Sequence, residues 1–324
     1  AKAHTHYTAP LGENQGRGLS CGFWFNFGGN TCVSLNIDSD GTISVVEGNP
    51  DIGGSRASIS MMAAEELGVP LDKVRTVITD TNSIGYNDVT DGSRVTFAVG
   101  LATIKAARAA IKEMCARVAK IWGIDEEAVI WEDGAAKPSG PNAGDFDPMT
   151  LGEIAAISDN TGGPIAGHHE VNADGAGVSF GVHLVDTEVD PETGTTKVVR
   201  YTIFQDAGKA VHPDYVEGQM QGGAVQGIGW ALNEEYIYGE DGRLQNPGFL
   251  DYRVPVASDL PSIETVILEI PNPGHPYGVR GVGETPIVPP LAAIANAVSR
   301  ATGVRMTELP MSPPKLLKAM SDKG

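Results

Sequence analysis

The sequence predicts an α+β fold built from two similar halves, each with a strand, a turn, a second strand, a loop and a helix. Short runs of alternating apolar residues indicate the strands, and longer runs with apolar residues at helical spacing indicate the helices. Because paired strands precede a helix, rather than alternating with helices one by one, the order is typical of an α+β architecture.

The first half contains three predicted strands and two predicted helices. The turn 38–41 joins the first two strands, and a glycine loop precedes the first helix. The elements are strands over residues 32–37, 42–47 and 74–79 and helices over residues 58–67 and 95–122.

The second half repeats this order, with a turn at 190–194 and a loop at 206–208. Its elements are strands over residues 181–189 and 196–204 and helices over residues 213–232 and 287–302. We therefore divide the chain into a first half, 1–135, an irregular connection, 136–174, and a second half, 175–324. The connection is assigned from its content of glycine, proline, aspartate and asparagine.

Composition and charge restrict the classes of function. The chain has 324 residues, 41% of them apolar, which is enough for one large or two smaller cores. A net charge of −18 argues against binding a nucleic-acid backbone or an anionic membrane surface. We expect a cytoplasmic protein, because the sequence has no run long enough to span a membrane, no signal peptide and no disulfide pattern.

Common cofactor and metal motifs are missing from the sequence. There is no Walker phosphate loop and no strand-coupled fingerprint for nicotinamide or flavin dinucleotides. His4, His6, His168 and His169 have no carboxylate or cysteine partners at ligand spacing. We predict no metal bound directly by side chains.

The stretch from Gly278 to Pro286, Gly-Val-Arg-Gly-Val-Gly-Glu-Thr-Pro, carries the main candidate for chemistry. Its closely spaced glycines let backbone amides approach a bound group, and Glu284 follows them directly. Glu284 precedes the predicted helix over 287–302, whose positive end keeps a carboxylate ionised. We interpret Glu284 as a catalytic base; the alternative is that it only caps the helix.

Two further glycine-rich loops precede predicted helices. Ile52–Ser55 and Gly92–Thr96 can both direct N-terminal amides and hydroxyls of a helix at phosphate oxygens. Arg56 and Arg94 would add charge-assisted hydrogen bonds to the same anion. The alternative is that both loops are ordinary helix caps.

The predicted helix over 213–232 carries Gln219 and, two turns later, Gln226 on a similar face. The amide of a glutamine can pair with the donor and acceptor edges of a polar ring. Small residues crowd around both glutamines, which indicates a packed helix; the alternative is that both amides are simply solvated.

Taken in order, these motifs resemble the C-terminal half of the molybdenum-binding subunit of the xanthine dehydrogenase and aldehyde oxidase family. One such string is weak evidence, but five in the family's order are not expected by chance. The segments are Gly16-Arg17-Gly18, Asp51–Arg56, Asp91–Thr96, Gly218-Gln219 with Gln226–Gly229, and Gly281–Glu284.

The resemblance implies a molybdopterin cytosine dinucleotide that carries molybdenum with a sulfido or selenido ligand, and Glu284 as the base. The implied cofactor-binding residues are Ile52, Gly53, Gly54, Ser55, Arg56, Gly92, Ser93, Arg94, Val95, Thr96, Gln219, Arg280, Gly281, Val282 and Gly283. One departure is Gly53, where the family often has a glutamine, so only backbone contact is expected there.

The resemblance also implies partners, because this sequence has no counterpart of the family's first half or of its iron–sulfur and flavin domains. The expected partners are a second, large molybdopterin subunit, an iron–sulfur subunit and a flavin subunit with FAD. This division among chains resembles the nicotinate dehydrogenase branch. That branch implies hydroxylation of nicotinate to 6-hydroxynicotinate with oxygen from water and electrons passed to NADP.

In the implied mechanism, Glu284 accepts a proton from the water-derived oxygen that attacks an electron-poor ring carbon. Two alternatives stay open. One is a hydroxylase for an aldehyde or a purine. The other is a non-catalytic scaffold or maturation protein that holds the pterin, for which Glu284 would be unnecessary.

Overall fold

The structure, a computed structural model, describes residues 1–323. The strands are β1 (Gln15–Phe25), β2 (Gly29–Ile37), β3 (Ile43–Glu47), β4 (Val74–Ile78), β5 (Val129–Glu132), β6 (Ala135–Pro138), β7 (Met149–Thr150), β8 (Ile165–Ala173), β9 (Val178–Val189), β10 (Thr196–Asp206) and β11 (Ile263–Leu268). The α-helices are α1 (Thr5–Thr8), α2 (Ser55–Leu67), α3 (Thr81–Ile84), α4 (Val95–Trp122), α5 (Leu151–Ala156), α6 (Ser158–Thr161), α7 (Pro213–Leu232), α8 (Pro290–Thr302) and α9 (Pro313–Lys323). Short 3-10 helices lie at Leu71–Lys73, Glu126–Ala128, Gly140–Asn142, Ala257–Asp259 and Thr285–Ile287.

The chain forms two compact units whose boundaries differ from the predicted halves. Unit 2 comprises Asn26–Gly177 and Asn272–Gly281, and unit 1 comprises Ala1–Phe25, Val178–Pro271 and the chain from Val282 on. The first strand belongs to unit 1 because β1 pairs antiparallel with β9 along its whole length, from Gln15 opposite Glu188 to Phe25 opposite Val178. The predicted division into residues 1–135 and 175–324 is corrected accordingly.

Unit 2 contains a four-stranded sheet of order β4-β3-β2-β8. The strands β3 and β4 are parallel and joined through α2, while β2 pairs antiparallel with both β3 and β8. The helices α2 and α4 pack on this sheet and bury side chains such as Val33, Leu35, Ile59 and Phe97. A right-handed crossover through a helix is the usual connection of such a parallel pair.

Unit 1 contains a sheet of order β1-β9-β10-β11 with the same pattern of strand directions. The parallel strands β10 and β11 are joined through α7, and β9 pairs antiparallel with β10 and β1. In the sheet of unit 2 the fourth strand is β8, which comes last in the sequence. In the sheet of unit 1 the fourth strand is β1, which comes first. The predicted α+β class is confirmed.

Glycines on the fourth strand allow a helix to approach the sheet closely in each unit. A Cβ added at Gly18 of β1 would overlap the carbonyl oxygen of Ala293 in α8, and one added at Gly167 of β8 would overlap that of Ala106 in α4. These glycines are therefore fixed by packing, because only a residue without a side chain fits there.

We expect Gly18→Ala to destabilise unit 1 by about 1–3 kcal/mol or more, because the added methyl group meets backbone atoms that cannot move aside. Gly222→Ala in α7 is the matched control: nothing lies within 4 Å of its added Cβ, and alanine favours a helix. Urea denaturation of both variants measures the difference. Equal stability of the two variants would contradict this account of the packing.

The predicted irregular connection over 136–174 is wrong, since β6, β7, α5, α6 and β8 lie in it. The strand β8 alternates between buried and exposed positions, but polar side chains such as His168 and His169 hide the alternation in the sequence. His168 donates or accepts a hydrogen bond with Oγ of Ser34 at 2.8 Å.

Among residues 1–323, no helix is long and apolar enough to span a bilayer.

Candidate active site

The first glycine-rich loop leads into α2 through a left-handed backbone. Gly53 and Gly54 have φ angles of +73° and +80°, and Gly54 occupies the N-cap position of α2. Ile52 is 63% exposed and Ser55 is buried. A left-handed backbone favours glycine, and successive amides in such a loop suit an anion.

Arg56 is paired within this loop. Oδ2 of Asp51 accepts a hydrogen bond from Nε of Arg56 at 2.8 Å, and Oδ1 accepts bonds from the Arg56 amide at 3.1 Å and from Oγ of Ser55 at 3.3 Å. Although partial burial raises the pKa of Asp51, the bonds from Arg56 lower it overall. An anion bound here would therefore share Arg56 with Asp51.

The second loop is also left-handed, at Gly92 with a φ of +64° and at Ser93 with a φ of +54°. A Cβ at Gly92 would lie 2.7 Å from Cβ of Phe27, and the Gly92 carbonyl accepts a hydrogen bond from the Phe27 amide at 2.8 Å. A left-handed serine is an uncommon conformation, and strained backbones cluster at functional sites. The helix α4 starts two residues later, at Val95, with Thr96 in its first turn.

The prediction that the Arg94 guanidinium contacts an anion is contradicted by its position. The side chain is fully buried, and it donates hydrogen bonds to backbone carbonyls of Gly28 at 2.5 Å, Asp88 at 3.0 Å and Asn30 at 2.8 Å, and to Oγ1 of Thr31. Burial lowers the pKa of Arg94. The Arg94 side chain supports the loop from the protein interior. Only the backbone of Arg94 is therefore a candidate for contact with an anion.

The Gly278–Pro286 segment crosses from unit 2 to unit 1 after Gly281. In unit 2, a Cβ at Gly281 would overlap the carbonyl oxygen of Ser93, so the structure brings Gly281 against the second loop. Asn272 supports the segment by donating to the Val279 carbonyl at 3.1 Å. Arg280 lies beside Gly177, whose added Cβ would be 2.7 Å from Nη1 of Arg280.

Glu284 lies in unit 1, where it occupies the N-cap position of the 3-10 helix Thr285–Ile287. The predicted helix start at residue 287 is therefore shifted, since α8 begins at Pro290. Within the described chain, the half-buried Glu284 side chain makes no capping hydrogen bond to the 3-10 helix. This geometry does not support the interpretation of Glu284 as a helix cap.

Sequence reasoning missed Gln205, a fully buried residue of β10. Its Nε2 donates to the Val282 carbonyl at 2.9 Å, which fixes the backbone two residues before Glu284. Thr285 is also fully buried, and its Oγ1 lies 3.5 Å from the Ser179 carbonyl. A buried glutamine in a strand was the available signal, because burial of a long amide requires a specific partner.

The glycine-rich face of α7 packs against the segment that follows Glu284. A Cβ at Gly223 would lie 2.5 Å from Cγ of Pro286, and one at Gly227 would lie 2.6 Å from Cβ of Pro290. On this helix Gln219 is half-buried and Gln226 is exposed. Gln226 lines a cavity of 460 Å³, together with Trp230, Glu234, Glu235, Tyr236, Tyr252, Ile287, Leu309 and Pro310.

Glu47, at the end of β3, is a buried carboxyl beside the first loop. Burial raises the pKa of Glu47 to about 7, against the opposing effects of the Asn49 amide, Arg56 and Arg94; Asp51 raises it further. Between pH 4.5 and 7 the folded state holds a proton that the unfolded state has released. Rising pH therefore lowers stability, by up to about 3 kcal/mol above pH 7.

We expect Glu47→Gln to remove this loss and to flatten the decrease in unfolding free energy between pH 5 and pH 8. Denaturation of parent and variant at both pH values measures the two unfolding free energies. The difference isolates Glu47, because burial lowers the pKa of His183 to about 3 and that of His275 to about 4 in both proteins alike. Identical pH slopes in parent and variant would contradict the prediction.

No group of three histidine, cysteine, aspartate or glutamate side chains among residues 1–323 is arranged to hold a metal ion directly. A family profile described as the molybdopterin cofactor-binding domain matches residues 3–261. The chain belongs to this family. Recognition of the molybdenum hydroxylases from the five motifs is thereby confirmed.

Curated relatives of this molybdopterin cofactor-binding domain support the same grouping. The chain is 32% identical over 320 residues to a putative xanthine dehydrogenase molybdenum-binding subunit of Escherichia coli, covering 93% of this chain and 41% of the relative. It is 30% identical over 297 residues to the large subunit of nicotine 6-hydroxylase of Paenarthrobacter nicotinovorans, covering 89% and 36%.

Solved structures of the family have the same fold. Quinoline 2-oxidoreductase from Pseudomonas putida 86 superposes with a TM-score of 0.85 at 25% identity, over 95% of this chain and 42% of that one. A Cu,Mo-containing carbon monoxide dehydrogenase gives a TM-score of 0.84 at 25% identity, over 95% and 41%. The chain thus spans about two fifths of the length of these proteins.

Proposed function

We propose that this chain is the part of a multi-subunit molybdenum hydroxylase that binds the pterin cofactor and supplies the catalytic base. The observation that carries the proposal is the close packing of Gly281 against the Ser93 carbonyl, with Glu284 three residues further along the chain. A glycine loop that continues into a single carboxylate suits both close approach to a cofactor and proton transfer beside it.

The glycine loops fit a pterin dinucleotide. Gly53, Gly54 and Gly92 have left-handed backbones, and an added side chain at Gly92 would be strained there and would collide with Phe27. Backbone amides of these loops would hold the pyrophosphate, and Gln219 would pair with the pterin edge. We propose molybdopterin cytosine dinucleotide with a sulfido or selenido ligand; when bound, it supplies the two-electron oxidation.

Glu284 would act as the proton acceptor in the reaction. Hydroxylation converts a ring C–H and one water into C–OH, two protons and two electrons. Glu284 would take the first proton from the water-derived oxygen as that oxygen bonds to the ring carbon. The contacts of Gln205 with Val282 and of Thr285 with Ser179 would keep the carboxylate in place.

The proposed substrate is an N-heteroaromatic ring, with conversion of nicotinate to 6-hydroxynicotinate as the specific reaction. Relatives named for quinoline and nicotine oxidation support an electron-poor ring, whereas relatives named for xanthine and aldehyde oxidation support a purine or an aldehyde as the alternatives. The electrons would pass through an iron–sulfur subunit and a flavin subunit with FAD to NADP, and a large molybdopterin subunit would complete the site, in the cytoplasm. The second candidate is a non-catalytic scaffold or maturation protein.

The test is co-expression of this chain with the candidate large, iron–sulfur and flavin subunits, followed by elemental analysis and turnover assays. We expect a complex that contains molybdenum and iron and hydroxylates nicotinate faster than an aldehyde or xanthine. Preference for an aldehyde or a purine would overturn the substrate. A cofactor-loaded complex that oxidises none of them would favour the scaffold.

A further inference from the structure

A buried side chain in unit 2 connects the two glycine loops. Asn49 precedes the first loop and is 2% exposed; its Nδ2 donates to the Asp88 carbonyl at 2.9 Å and to Oγ1 of Thr90 at 3.0 Å. Arg94 donates to the same Asp88 carbonyl at 3.0 Å. One amide therefore joins the segment before Ile52 to the segment before Gly92.

Glu47 holds Asn49 in this position. Oε2 of the fully buried Glu47 accepts a hydrogen bond from the Asn49 backbone amide at 2.6 Å. Between them, a Cβ added at Gly48 would lie 3.0 Å from Nδ2 of Asn87 and 3.2 Å from Cγ2 of Ile84. The two segments are thus close enough for a short asparagine side chain to span them.

The arrangement is not optimised for stability alone. Among the described residues, Oε1 of Glu47 and Oδ1 of Asn49 are buried acceptors with no hydrogen-bond partner. An unsatisfied buried acceptor lowers stability, and an apolar pair of similar shape avoids that cost. A polar pair at this place therefore calls for a role in addition to packing.

We propose that Asn49, held by Glu47, is a positioning residue that sets the separation of the two glycine loops and keeps them ordered for the cofactor. This inference rests on the proposed role of those loops in binding a pterin dinucleotide. Loops that are already ordered lose less conformational entropy when a ligand binds, so the affinity is higher.

The experiment compares Asn49→Ala with Thr90→Val and the parent in the assembled complex, by hydrogen exchange of residues 51–56 and 91–96 and by molybdenum content per chain. We expect Asn49→Ala to speed exchange of both loops by about tenfold and to lower molybdenum content several-fold, because it removes two buried hydrogen bonds. Thr90→Val removes one acceptor and should give a smaller change in the same direction.

Thr76→Val is the control, since it removes a buried hydrogen bond of unit 2, between Thr76 and Ser60 at 2.8 Å, in which no residue of either loop takes part. It should leave loop exchange and molybdenum content unchanged. If Asn49→Ala affects the loops no more than Thr76→Val does, or speeds exchange without loss of molybdenum, the positioning role is overturned. A Gly92→Val variant decides separately whether the loops bind the cofactor at all.

Discussion

Replacing Glu284 with glutamine is expected to lower the rate of substrate oxidation by about 10²- to 10⁴-fold while the molybdenum content stays at the parent level. Glutamine has nearly the same shape as glutamate and keeps one carbonyl oxygen, so we expect the fold around residue 284 to be preserved. The amide cannot accept the proton released as the new C–O bond forms. The chemical step is therefore the one affected.

The measurement is the anaerobic reduction of the metal centre by substrate, in parent and variant complexes of equal metal content. Glu217→Gln is the matched control, because Glu217 is an exposed glutamate of α7 in the same unit and its replacement changes the charge by the same amount. Reduction of the Glu284→Gln centre within a few-fold of the parent rate would mean that the base lies elsewhere in the complex.

Gly92→Val is expected to lower molybdenum and nucleotide content by about tenfold or more. Valine at a φ of +64° is strained, and its Cβ would lie 2.7 Å from Cβ of Phe27, so the second loop must shift away from the geometry that would hold the cofactor. Elemental analysis and release of the nucleotide from the purified complex measure the change.

Gly144→Val separates loss of the cofactor from backbone strain in general. Gly144 lies in the same unit with a φ of +87°, and nothing lies within 4 Å of an added Cβ. This variant should keep the parent cofactor content even if its stability decreases. Equal cofactor content in both variants would show that the Gly92 loop has only a structural role.

Long, strongly periodic elements could be predicted from the sequence. The predicted bounds of α4 and α7 agree with the structure because helical spacing extends over many residues and glycine or asparagine follows each end. The strand β8 could not be found in this way, because polar residues occupy its exposed face and glycine replaces a larger apolar residue where α4 packs. The strand propensity of the individual residues does not locate β8, because tertiary packing overrides it.

The candidate site shows a similar division. The left-handed glycines before α2 and α4 follow from local backbone chemistry, which the sequence reveals directly. The direction of the Arg94 side chain does not follow from the local sequence. Its partners are the backbone carbonyl groups of Gly28, Asn30 and Asp88, which only the fold brings together. Gln205 was missed for the same reason, since its contact with Val282 joins distant parts of the chain.

The place of β1 in unit 1 has a consequence for synthesis of the chain. This strand is synthesised before its partner β9, which starts only at Val178, after almost all of unit 2 has been made. Until then β1 presents unpaired backbone groups, which favour aggregation. We therefore expect unit 2 to form a folded core before unit 1 does. Nascent chains stalled before residue 178 should then depend on chaperones more than released chains do.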